Sequence, residues 1–149
     1  MDSLTDVFPG LLTSGYRVTS PEDPDYNCIA WAAGETTLWW EPDVNGDYYW
    51  PQGVLRDYTL DAYKAAYEIL GYSVCDSLEL EKGWEKVAIF MDAVGKPTHA
   101  ARQLPTGQWT SKCGSWVDIE HSVPDALSGS EYGQVACFMK RPVKQIHLD

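Results

Sequence analysis

Basic residues are scarce in this 149-residue chain: 11 Lys and Arg stand against 22 Asp and Glu, a net charge of −11. Nucleic-acid binding draws on clustered Lys and Arg, so a phosphate backbone is not an expected partner. No apolar run approaches the roughly 18 residues that a membrane-spanning helix requires. The opening residues, MDSLTDVFPGLL, hold two acids and no basic stretch, which argues against a secretory signal. A cytoplasmic location is the expectation, with secretion by a signal-less route as the alternative. None of the four cysteines (Cys28, Cys75, Cys113 and Cys137) stands in a C-x-x-C pair, so a zinc ribbon or thioredoxin-type centre is unsupported. Free thiols in a reducing compartment are expected instead. Repeats and low-complexity linkers are also lacking, which predicts one domain over residues 1–149.

What remains is an ordinary globular composition, 44% hydrophobic and 22% charged, long enough to bury a real core. The acids are scattered, as in Asp2, Asp6, Glu22, Asp23 and Asp25. They read as solvated surface, with attraction of a basic protein partner as the rival reading. Three prolines (Pro9, Pro21 and Pro24) mark the first 27 residues as an extended lead-in. CIAWAAG then reads as a short helix from Cys28, with Asn27 as its cap and Gly34 as its stop. A second helix is predicted in TLDAYKAAYEILGY, capped by Thr59, with Leu60, Tyr63, Tyr67 and Leu70 at helical spacing. The C-terminal half changes period: KVAIFMD, THAARQL, WTSKCG and YGQVACFMKRP read as four strands. Helices followed by an antiparallel sheet define the α+β class. Between the halves, Leu38 to Gly53 is crowded with Trp and Tyr and has no regular period. It is either a pocket wall or a cap on a hydrophobic face.

The candidate chemistry starts at Cys28. A helix N-terminus favours thiolate, and its N–H groups favour an oxyanion, so this cysteine is either a nucleophile or a packing residue. Cys137, in QVACFMK, and Cys75 read as core. A nucleophile needs a base, and of the three histidines His147 lies in the tail. His99 opens a strand just after a turn, a rigid mount for a general base.

Cysteine on a helix, then histidine on an antiparallel strand, then a polar residue near the next strand resembles the papain-like cysteine hydrolases. The compact bacterial branch of NlpC/P60 and CHAP-type amidases is especially similar, through KVAIFMDAVGKPTHAARQL. YNCIAWAAG, YWPQG and PTHAARQLPTGQWTSKCG…DIEH also resemble a bacterial family of small papain-like domains, over most of the chain. The resemblance implies a papain-like fold with N-terminal helices packed on the sheet. It also implies Cys28 as nucleophile and His99 as its base.

The third residue departs from that pattern. A hairpin centred on Thr106 and Gly107 sets His99 opposite Gly114, with Lys112 and Trp116 as the nearest side chains on its face. Neither matches the Asn, Asp or His that orients the imidazole. In VDIEH, Asp118 and Glu120 share a face at strand alternation; Glu120 is the preferred orienter and His121 the second candidate. Ser111 and Lys112 are adjacent and point to opposite faces, which does not suit a Ser–Lys catalytic pair. Zinc on Cys28, His99, Cys113 and His121 has the right residue types but no short-spaced ligand pair, so neither metal nor cofactor is expected.

The leading reading is a hydrolase or acyltransferase that opens an amide, ester or isopeptide bond through an acyl-enzyme. Its substrate would be a peptide or another amide, met by Asn27, Trp31, Trp40 and Trp50. One rival is a non-catalytic module that binds sugar or peptide on the aromatic segment. The other is an acidic interaction or inhibitor protein.

Overall fold

The computed structural model describes residues 4–20, 25–113 and 117–143. Two short helices, α1 (Leu4–Val7) and α2 (Gly10–Ser14), precede the strand β1 (Tyr16–Ser20). Helices α3 (Cys28–Ala32) and α4 (Leu60–Ile69) follow. The remaining strands are β2 (Ser73–Cys75), β3 (Trp84–Met91), β4 (Pro97–Gln103), β5 (Trp109–Lys112), β6 (Asp118–His121) and β7 (Gln134–Pro142). A 3₁₀ turn at Pro124–Leu127 lies between β6 and β7. The seven strands form one antiparallel sheet in the order β1-β6-β5-β4-β3-β7-β2, so the class is α+β with β dominant. Among the described residues no helix is long and apolar enough to cross a membrane.

Strand alternation sorts the core onto two faces. On one face α3 and α4 pack over Val87, Ile89, Ala100 and Met139. On the other, Leu4, Phe8, Leu11 and Leu127 cover Ala88, Phe90, Ala101, Trp109 and Ile119. The central strand β3 is covered on both sides, which is why Val87 to Phe90 are a continuous apolar run and all fully buried. Helix α4 begins as its sequence predicts: the Thr59 hydroxyl accepts from the Ala62 N–H, and Tyr63 and Tyr67 turn inward.

Three expectations are corrected. The lead-in is not simply extended: it holds α1, α2 and the edge strand β1, while Pro21, Glu22, Asp23 and Pro24 lie outside the described residues. Three strands beyond the expected four join the sheet, and β1, β2 and β6 are each too short to display a period. The β4–β5 hairpin is also shifted by one residue. Its pairs are Arg102 with Thr110 and Gln103 with Trp109, closed by a turn in which Leu104 N–H donates to the Gln108 carbonyl. That register sets His99 level with Cys113, not Gly114, and a one-residue slip reverses which side chains share a face. Ser111 therefore replaces Lys112 on the His99 face. Gly114 and Trp116 are outside the described residues.

Candidate active site

Among the described residues, backbone pairing between β4 and β5 is confined to Arg102 with Thr110 and Gln103 with Trp109. Helix α3 packs against both strands. Asn27 fixes its first turn: the side-chain oxygen accepts from the Ala30 N–H at 3.1 Å and from the Trp40 N–H at 3.1 Å, and the amide donates to the Trp40 carbonyl at 2.6 Å. One residue thus caps the helix and ties it to the aromatic segment. Trp31 anchors the far side through its indole N–H, which donates to the Thr110 hydroxyl at 3.0 Å.

Cys28 is the first residue of α3 and only 8% exposed. Burial pushes its thiol up to about 11, opposed by the backbone N–H groups of Ala100, Ile29 and Cys28 itself and by the Lys112 charge. Helix α3 has five residues, too short for a large dipole, so its own N–H groups matter more than its axis. Asn27, Cys28, Trp39, Trp40, Glu41, Tyr58, Tyr63, Lys96, Thr98 and Tyr132 are among the residues around a cavity of about 280 Å³.

His99 is fully buried, with its ring stacked on Tyr132 at 4.1 Å and edge-on to Phe90 at 5.1 Å. Strand alternation sends the imidazole and the Ala100 methyl to opposite faces of β4. Among the described residues no hydrogen bond joins the Cys28 sulfur to His99. What the imidazole does touch is Ser111: Nε2 lies 3.0 Å from the Ser111 hydroxyl, which lies 2.8 Å from His121 Nε2. His121 Nδ1 in turn lies 2.8 Å from the Val123 carbonyl.

Proton placement follows from the end of this chain. The Val123 carbonyl only accepts, so His121 Nδ1 carries the proton. Burial pushes His121 down to about 4, so the ring is neutral and its Nε2 accepts from the Ser111 hydroxyl. Ser111 then accepts from His99 Nε2–H. Burial, with a smaller contribution from His121, holds His99 well below the ordinary imidazole value. Its Nδ1 is a bare lone pair, buried and without a partner among the described residues.

The other predicted residues fall elsewhere. Glu120 is on the opposite face of β6 from His121 and bonds Arg17 at 2.6 Å, so it does not orient His99. Asp118 accepts from the Tyr26 hydroxyl at 2.6 Å and lies 3.8 Å from Lys112, both ends of that ion pair being fully buried. Trp40 lines the cavity, whereas Trp50 packs edge-on against Tyr63 and Trp31 stacks on Tyr26. Cys28, His99, Cys113 and His121 do not converge: among the described residues no group of three or more His, Cys, Asp or Glu is placed to hold a metal ion. His147 lies outside those residues. Ser111 is the residue that sequence reasoning passed over. The signal for it was the turn of the β4–β5 hairpin, since ending the turn one residue earlier brings Ser111 to His99.

No curated protein and no solved structure matches the chain. A family model described as a domain of unknown function (DUF7689) matches residues 17–140, more than four-fifths of its length, and the chain belongs to that family.

Proposed function

We propose that the chain is a papain-like cysteine hydrolase or acyltransferase in which Cys28 is the nucleophile and His99 its base. One observation carries the reading. The His121–Ser111 relay leaves His99 with a bare Nδ1 on β4, the strand against which helix α3, headed by Cys28, packs. A general base needs a free lone pair and a fixed ring, and the relay supplies both.

With thiol and imidazole both neutral at rest, His99 takes the thiol proton as sulfur attacks a carbonyl. The imidazolium then protonates the leaving group, and water or an amine resolves the acyl-enzyme. The imidazole lies on the face of β4 opposite the Ala100 methyl, which packs in one cluster with Cys28, so proton transfer between thiol and imidazole needs a bridging water or substrate group. A peptide or other amide is the proposed substrate. All four cysteines are free, which supports a cytoplasmic site of action.

The test is alkylation by iodoacetamide at neutral pH, with the labelled cysteine identified by mass spectrometry. Cys28 is expected to take label in wild type and to slow at least roughly 100-fold in His99→Ala, the low end for loss of a general base. Cys28 that stays inert, or reacts equally without His99, overturns the proposal.

A further inference from the structure

The cavity over Cys28 carries two opposite charges that do not meet. Glu41 lines it, with one carboxylate oxygen accepting from the Trp39 indole at 3.2 Å and the other from the Tyr58 hydroxyl at 2.5 Å. Both donors are neutral. They fix the carboxylate without cancelling its charge, and no cation pairs with Glu41 among the described residues. Lys96 lines the same cavity with its ammonium 4.9 Å from the centre of the Tyr58 ring, and no carboxylate pairs with it there. The two charges thus share Tyr58 as a neighbour, one at its hydroxyl and one over its face, without forming an ion pair.

From this we infer that the cavity binds the head of a free α-amino acid, its ammonium on Glu41 and its carboxylate on Lys96, and presents a side-chain amide to Cys28. The inference rests on Cys28 being the nucleophile. Size supports a small substrate: the cavity's 280 Å³ equals about nine water volumes of roughly 30 Å³ each. Glutamine, with ten non-hydrogen atoms, is of that order.

The reaction balances with water alone. The Cys28 sulfur bonds to the side-chain carbonyl carbon, the carbon–nitrogen bond breaks, and the thiol proton leaves with the nitrogen as ammonia. Water then splits the thioester, restores the thiol and releases the side-chain carboxylic acid.

L-Glutamine is the probe, with ammonia release as one readout and calorimetric binding to Cys28→Ala as the other. Wild type is expected to turn glutamine over, and N-acetyl-L-glutamine, which lacks the ammonium, to lose roughly 10- to 100-fold in kcat/KM. Amidation of the α-carboxylate should cost about fivefold, because Lys96 is exposed and screened. Glu41→Gln should bring glutamine down to the level of its N-acetyl form. Equal rates for glutamine and N-acetylglutamine, or no binding of glutamine to Cys28→Ala, overturn the inference. Binding to Cys28→Ala needs no nucleophile, so its failure is separate from a failure of Cys28 to react.

Discussion

Ser111 donates its hydroxyl proton to His121 across 2.8 Å, and that bond decides which nitrogen of a third residue, His99, is left bare. The alignment depends on the whole chain, since His121 is held in its tautomer by the Val123 carbonyl.

Ser111→Ala should therefore slow labelling of Cys28 by iodoacetamide roughly 100-fold, the scale of a misplaced catalytic group. Ser111→Thr keeps the hydroxyl and should recover most of the rate. The discriminating readout is the pH profile, because a packing role would lower stability and leave the profile unchanged.

Acid should unfold the protein through its buried histidines. His121 is held at about 4 in the fold, against about 6.5 unfolded, and His99 is lowered as well. Between those values the unfolded chain binds more protons, so stability is full above about pH 6.5 and falls as pH drops towards 4. For His121 alone the slope reaches about 1.4 kcal/mol per pH unit. Urea midpoints at pH 7, 6 and 5 check this, and His121→Gln should flatten the trend.

Breaking the Lys112–Asp118 pair from one side should be costly. Both side chains are fully buried, and the Lys112 ammonium also sits 4.6 Å over the Tyr26 ring. Lys112→Met leaves a buried carboxylate without its cation and should lose about 3–5 kcal/mol in urea unfolding. Adding Asp118→Asn should recover part of that loss, a coupling that a double-mutant cycle reads directly.

Gly133 should tolerate no side chain. Its φ is +76°, and a Cβ there would lie 2.1 Å from the Met91 carbonyl oxygen. Gly133→Ala should cost at least about 2 kcal/mol. Because the neighbouring Tyr132 stacks on His99, near-UV circular dichroism should change with it.

The parts of the fold that were legible in the sequence carry their own signals. Helix α4 has a cap, an inward row of Tyr63 and Tyr67, and a glycine stop. Strands β3 and β7 are long enough to show their character. Asn27 caps α3 as its type predicts. What was hidden depends on partners far along the chain. Nothing near Tyr16 announces that β1 will pair with β6, more than 100 residues later. The orienting group was missed for a sharper reason. Lys112 and Ser111 exchange faces if one hairpin turn moves by a single residue, and composition does not set that turn. Strand alternation alone does not say which face of β6 is inward: Glu120 meets Arg17 on the outer side, while neutral His121 points inward.

The short pairing between β4 and β5 also has a mechanical meaning. Among the described residues, two backbone pairs join a three-strand plate, β1-β6-β5, to a four-strand plate, β4-β3-β7-β2. Elsewhere along that seam, side chains do the fastening: His99 to Ser111, and Trp31 to Thr110 through α3. Side-chain fasteners yield before a ladder of amides does. The line where α3 packs against β4 is thus the part of the sheet joined by the fewest backbone pairs among the described residues.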